Sequence, residues 1–192
     1  EQLKSERDSL LMSNNFLSQG ISSLLGTKKN RNSKRAVIEL KKSSEQGNCM
    51  ASFILGLLYA TGEEVERDMD ESFKYYERSN NQGNSSGLCQ IGSCFDKGEG
   101  VDKNFIKAKE GYFEKAADLG DSDALRNLGI FYENGHGVEP DYTKAKEYYE
   151  KAAELGNSDA LRNLGNLYFE GKGVEQDYTK AKEYYEKAVE LG

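Results

Sequence analysis

The chain holds 192 residues with 31% charged, a single Pro and a formal net charge of −7. The carboxylate excess disfavours general binding to a phosphate backbone. No apolar run reaches the roughly 20 residues that a bilayer-spanning helix needs, so neither nucleic acid nor membrane is an expected partner. The three cysteines, Cys49, Cys89 and Cys94, are odd in number and form no CxxC or Cys/His cluster. That reads as reduced thiols of a cytoplasmic protein rather than a disulfide framework or metal site. Opening on Glu1, the chain reads as a piece of a longer one, and its lack of a signal peptide says little.

Residues 1–31 place Leu3, Leu10, Leu17 and Leu24 at intervals of seven. The spacing predicts an amphipathic helix that caps the downstream part of the chain, or the tail of a coiled coil. Lys28, Lys29, Arg31, Lys34, Arg35, Lys41 and Lys42 form a basic run, read as a solvated loop and helix face or as a patch for an acidic segment.

Glycine then sets a register. Gly47, Gly83, Gly120, Gly156 and Gly192 mark one phase; Gly56, Gly92, Gly129 and Gly165 a second; Gly62, Gly98, Gly135 and Gly171 a third. An offset of 36 residues, lengthened once to 37, signals a repeat array. It divides the chain into four units, 47–82, 83–119, 120–155 and 156–191, with a degraded fifth at 11–46 in which Gly20 and Gly26 keep the phases. The domain organisation expected is an N-terminal helical cap over 1–46 and one continuous solenoid over 47–192. Asp141 to Gly156 returns as Asp177 to Gly192 with only Ala153 changed, to Val189, through recent duplication or through design.

Each unit reads as two helices. Helix A is capped by Asn48, Asn84, Asn157 and, in the third unit, Asp121 or Ser122, and carries Ala124, Leu128 and Phe131/Tyr132 on one face. Gly129 allows helix B to approach it closely. Helix B is capped by Asp68, Asn104, Asp141 or Asp177, with Tyr142, Ala145, Tyr149 and Ala152 as its stripe. Asp68 with Glu71 suggests a capping box. The unit 83–119 has 37 residues, and aligning Ala108–Ala116 with Ala145–Ala152 isolates Gly111 as the insertion. One extra residue inside a helix is absorbed most simply as a π-bulge. Cys94 aligns with Leu58, Phe131 and Leu167 as a small core residue.

No nucleophile–base–acid set, metal spacing or phosphate-cradling loop is visible, so no catalytic residue, cofactor or metal is assigned and an enzyme is not expected. His136 is expected at a solvent-facing turn, because Glu99 and Lys172 hold the equivalent positions.

The pattern Ala-x-x-x-Leu-Gly-x-x-Tyr-x-x-Gly-x-Gly-Val-x-x-Asp-Tyr-x-Lys-Ala-x-x-Tyr-Tyr-x-Lys-Ala-Ala resembles the Sel-1-like repeat family. The likeness is close over Ala124–Gly192, good over 83–120 and looser over 47–82, where Glu64 and Ser72 depart from it. It implies an all-α fold, a right-handed α-solenoid of stacked antiparallel helix pairs related to the tetratricopeptide fold. It also implies a scaffold or adaptor in signalling or protein quality control. The repeated disulfides of cysteine-rich secreted relatives are not matched here.

The expected function is a non-catalytic scaffold that binds a protein or peptide; the alternative is a regulatory or oligomerising module of a larger signalling enzyme. By analogy with tetratricopeptide geometry, helix A would line a concave groove. Its ladders are Phe53, Cys89, Arg126 and Arg162; then Leu57, Ser93, Ile130 and Asn166; then Ala60, Asp96, Glu133 and Phe169. The groove would be apolar at its N-terminal end and charged at its C-terminal end, a gradient that fits a ligand with a hydrophobic anchor and an acidic flank. The arginines could equally pair with Asp123 and Asp159 one turn earlier. Self-association through the open C-terminal repeat or the N-terminal leucines is a further expectation.

Overall fold

Side-chain acceptors start the helices. Asn48, Asp121 and Asn157 lie in extended backbone and accept hydrogen bonds from the amides of Ala51, Ala124 and Ala160 at 3.1, 2.9 and 2.9 Å. These bonds satisfy donors that a first helical turn leaves open. They open α3 (Cys49–Thr61), α7 (Ser122–Asn134) and α9 (Ser158–Glu170). Asp68, Asp141 and Asp177 do the same for α4 (Met69–Asn81), α8 (Tyr142–Glu154) and α10 (Tyr178–Leu191). The remaining helices are α1 (Gln2–Leu25), α2 (Ser33–Glu45), α5 (Ser86–Lys97) and α6 (Glu114–Asp118), the last preceded by a π-helical segment, Lys107–Phe113. The computed structural model describes residues 2–25, 33–84 and 86–192, and among these there is no strand.

Four of the pairs expected from the sequence form within the two units. Helix α1 packs on α2, α3 on α4, α7 on α8 and α9 on α10, and successive pairs join through α2–α3, α4–α5, α6–α7 and α8–α9. The fold is therefore all-α, built of stacked helix pairs. The chain divides into two units, Glu1–Lys103 and Asn104–Gly192, and the division falls inside the stretch 83–119.

In the first unit Leu40, Ala51, Leu55 and Leu58 form the core, and Leu17 and Leu24 pack against it. Two of the heptad leucines are thus used within the unit. The side chains of Leu3 and Leu10, and Gly26, Lys28, Lys29 and Arg31, lie outside the described residues. In the second unit the core is Ala145, Tyr149, Ala152, Ala160, Leu164 and Leu167, with Leu125. Burying a leucine such as Leu164 contributes about 1.5–3 kcal/mol.

Within a pair, the contact is glycine against tyrosine. A Cβ on Gly56 would come 2.5 Å from the Tyr76 ring, one on Gly165 would come 2.5 Å from the Tyr185 ring, and one on Gly129 would run into Tyr149. Gly20 faces Leu40 in the same manner, at 2.8 Å.

The first unit replaces alanine by serine at this seam. Ser72 donates to the Gly56 carbonyl and Ser79 to that of Cys49, each at 2.8 Å, where the second unit has buried Ala145 and Ala152. Ser52 donates to the Gln82 amide oxygen (2.6 Å), and the Gln82 amide nitrogen donates to the Ser44 carbonyl (2.9 Å). These buried hydroxyls are satisfied, which removes the desolvation cost that unpaired ones would carry.

The inserted Gly111 lies inside the π segment Lys107–Phe113, as the register argument requires. Helical backbone continues through it, Ile106 and Glu114 both lying in the right-handed region. Two expectations are corrected. The capping box at Asp68 forms only by half: Asp68 accepts from the Glu71 amide at 3.0 Å, but its own amide donates to the Tyr59 carbonyl at 3.0 Å. Glu71 instead pairs with Lys74 at 2.7 Å. The same amide bond recurs from Asp141 to Tyr132 and from Asp177 to Tyr168, so helix A supplies the acceptor. His136 is not a free solvent tip, since its ring stacks on Phe105 at 4.8 Å and meets Phe131 edge-on at 5.7 Å.

Candidate helix A binding face

The geometry of α3, α7 and α9 decides which ladder residues reach the surface. In the second unit Arg126 and Arg162, one repeat apart, converge on a single carboxylate. Asp159 holds Arg162 at 2.7 Å, one turn away on α9, and lies 3.9 Å from Arg126 on α7. Arg162 pairs one turn back as the helical spacing allows, while Arg126 reaches into the next repeat. Asp123 accepts instead from the Asn157 amide at 2.8 Å, so the cap of α9 is tied to the first turn of α7. Arg162 is 58% exposed, whereas Arg126 is 24% exposed and its Nε is buried without a hydrogen-bond acceptor.

Further along the same face, Ile130 is half-buried and Asn166 is exposed. Phe169 is exposed and sets its ring edge against Tyr178 at 5.4 Å. Two tyrosine hydroxyls reach this face from helix B. Tyr149 donates to Glu133 at 2.6 Å, and Tyr185 donates to Asn166 at 2.8 Å. Burial first, and then the bond to the Glu133 carboxylate, holds the Tyr149 phenol far above the ordinary tyrosine range, while Asn163 opposes the shift with a hydrogen bond of its own. Sequence reasoning assigns the tyrosines to packing and does not single out Asn163. The signal available is that Asn127 and Asn163 recur at the repeat offset beside the arginine positions.

In the first unit the face is apolar. Leu57 is exposed, as is Met50 two turns earlier, and Phe53 is half-buried against Tyr76 at 5.9 Å. Cys89 corrects the ladder: it is 3% exposed and belongs to the core with Ile91 and Cys94. Its phase matches Arg126, but a short thiol cannot extend out of the helix contact as a guanidinium does. Burial pushes the Cys94 thiol up to about 11, which suits an inert core residue.

Among the described residues no group of His, Cys, Asp and Glu could hold a metal ion, and no helix is long and apolar enough to cross a membrane. Two shallow cavities lie in the second unit. One, of about 580 Å³, is lined by Lys109, Tyr132, Pro140 and Lys144; the other, of about 500 Å³, by Leu125, Leu128, Tyr148 and Lys151. Lysines lie over the rings at both, Lys109 and Lys144 over Tyr132 and Lys151 over Tyr148. Glu114 and Asp141 occupy Lys109 and Lys144.

Known structures share this architecture. A Sel1 repeat protein from Oxalobacter formigenes is 30% identical, aligns over 94% of this chain and 73% of its own, and superposes with a TM-score of 0.82. The protective antigen c5321 of uropathogenic Escherichia coli, which displays an SLR fold, is 29% identical over 99% of this chain with a TM-score of 0.79. The immunity protein Pa5087 of Pseudomonas aeruginosa is 26% identical over 92% of it, with a TM-score of 0.66. The chain spans 40% of the length of the antigen and 65% of that of the immunity protein. No curated protein matches in sequence. The Sel1 repeat pattern matches residues 49–84, 85–121, 122–157 and 158–192, so its unit boundaries lie about two residues beyond those set by the glycines. Four such matches over stacked helices place this chain in the Sel1 repeat family.

Proposed function

We propose that the chain is a non-catalytic interaction scaffold that binds a protein segment on the exposed faces of its A helices. The fold supports a protein-interaction role in general terms. The observation that carries the finer reading is the pair Arg126 and Arg162, stacked one repeat apart and sharing the carboxylate of Asp159. Two guanidiniums on one carboxylate leave donor capacity for an acidic group of a ligand. Ile130 and Phe169 on the same face of the second unit offer apolar contacts. A segment with a hydrophobic anchor and an acidic flank matches this chemistry, and hot spots belong on the arginine and aromatic members.

The test is selection from a displayed peptide library against the intact chain and against an Arg126→Glu, Arg162→Glu double variant. Selected peptides should be acidic beside an apolar anchor, and should bind the double variant at least about tenfold more weakly, the more so at low salt. Equal binding to both proteins, with the fold intact by circular dichroism, would remove the assignment. The immunity protein relatives raise a second setting for such a scaffold, capture of a partner protein to neutralise it, and the same selection applies to it.

A further inference from the structure

One groove occurs twice in this chain, and its two copies are finished differently. Two periods, one of 36 and one of 37 residues, carry Ser44, Ser52 and Gln82 of the first unit onto Ala117, Leu125 and Leu155 of the second. In the first unit, between α2, α3 and α4, the groove is laced by polar groups. The hydroxyls of Ser44 and Ser52 share a hydrogen bond of 2.7 Å, Ser52 donates to the Gln82 amide oxygen at 2.6 Å, and the Gln82 nitrogen donates to the Ser44 carbonyl at 2.9 Å. In the second unit, between α6, α7 and α8, none of these groups is present. Leu155 is 54% exposed, and a cavity of about 500 Å³ lies over Ala117, Leu125 and Leu128, with Tyr148 beside them.

The change of side chains selects the occupant. On a floor of methyl and isobutyl groups a polar ligand atom would lose its hydration and gain no bond, whereas an apolar side chain gains by leaving water. The rim sets two carboxylates, Glu114 and Asp118, against one ammonium, that of Lys151. The first copy has Lys41, Glu45 and Arg78 at the same three places, so the sign of the rim is reversed between the copies. Lys109 draws Glu114 at 3.6 Å, and Lys151 lies over the Tyr148 ring at 5.5 Å. Asp118 and Glu154 are the last residues of α6 and α8. Helix carbonyls already concentrate negative potential there, so a carboxylate is disfavoured and an added cation is stabilised.

We infer that the cavity between α6, α7 and α8 docks a partner segment that sets one large apolar side chain on Ala117, Leu125 and Leu128 and a lysine or arginine beside Asp118. In the first unit Gln82 reaches across the same place from its own chain; in the second the side chain comes from the partner. The charge preference is opposite to that of the arginine face, so the two sites select different segments. This site stands or falls independently of that face.

The probe is a library of displayed random peptides selected on the intact chain, each binder then being titrated by fluorescence polarisation against three variants. Ala117→Leu fills the cavity from its own floor, in a helix that leucine suits. Asp118→Lys reverses the rim at an exposed position. Arg126→Glu with Arg162→Glu leaves the cavity lining untouched. One class of binders should carry lysine or arginine beside a large apolar residue. Its affinity should fall at least about tenfold in Ala117→Leu and at least about threefold in Asp118→Lys, the second loss shrinking as salt is raised. The double arginine variant should bind this class unchanged. The proposal is overturned if no binder responds to Ala117→Leu and Asp118→Lys, or if those that respond are acidic. Binders lost only in the double arginine variant would keep the arginine face and remove this site. Should circular dichroism show Ala117→Leu misfolded, Asp118→Lys decides alone, and unchanged binding to it overturns the proposal.

Discussion

At the scale of single residues, the tyrosines of helix B carry two duties. Tyr149 fills the space beside Gly129 and donates its hydroxyl to Glu133 at 2.6 Å. Tyr149→Phe should keep the packing and lose the bond, at a cost of about 1.5–3 kcal/mol for a hydrogen bond to a charged group; urea unfolding at neutral pH measures it. The alkaline limb of stability has a definite sign. Burial pushes Tyr76 up to about 12 and raises Tyr149 as well. A phenol raised above its unfolded value of about 10 stabilises the fold fully below that pH and loses the contribution as pH climbs through the folded value. Stability should hold to about pH 10 and then fall steeply. The ultraviolet titration of tyrosinate should show a late fraction that ionises together with unfolding, and that fraction should shrink in Tyr149→Phe.

Residues also show where sequence reasoning stops. The phase of a helix assigns a position to a face, and for Arg162, Asn166 and Phe169 that is enough, because each reaches the exposed surface. It fails for Cys89, whose side chain is too short to leave the contact its Cα sits in. It fails again for His136, because stacking on Phe105 depends on how one turn lies over the preceding helix. The Asp68 amide goes to the Tyr59 carbonyl for the same reason: the competing acceptor lies on another helix and has no local signature.

At the scale of elements, two glycines in neighbouring helices should behave oppositely. Gly129 faces the Tyr149 ring with no room for a methyl group, so Gly129→Ala should destabilise by roughly 1–3 kcal/mol through overpacking. Gly111 meets only the Lys107 Cγ at 3.5 Å, an ordinary contact. Gly111→Ala should therefore stabilise by about 1 kcal/mol through helix propensity. Deleting Gly111 restores the 36-residue register and should be tolerated, with loss of the π segment. Denaturant midpoints of the three variants check the set, and a loss of several kcal/mol on deletion would mean the wide turn is required. The insertion is legible because both flanks of Gly111 align with Ala145–Ala152, and a helix has few ways to take up one residue.

At the scale of the whole molecule, stability should depend on neighbours rather than on sequence. In a repeat array each unit is held by its own interactions and by those with adjacent units. Helix α8 has α7 and α9 beside it, whereas α10 packs chiefly on α9. Amides of α10 should therefore exchange with solvent faster than the matching amides of α8, although the two helices differ only at Ala153 and Val189. Mass-resolved hydrogen exchange on peptides covering 142–154 and 178–191 makes the comparison, and equal protection would contradict nearest-neighbour stabilisation.

The seam of glycine on tyrosine has a consequence for how such a chain can change. Because Gly129 meets Tyr149 and Gly165 meets Tyr185 in the same way, the fit is closed inside each 36-residue period. An in-frame gain or loss of one period leaves every remaining seam with its own partner, whereas a shift of a single codon needs a device such as the π segment at Gly111 to absorb it. Length in this molecule is accordingly inherited in whole periods, and a period can be added or lost without the seam having to be fitted anew.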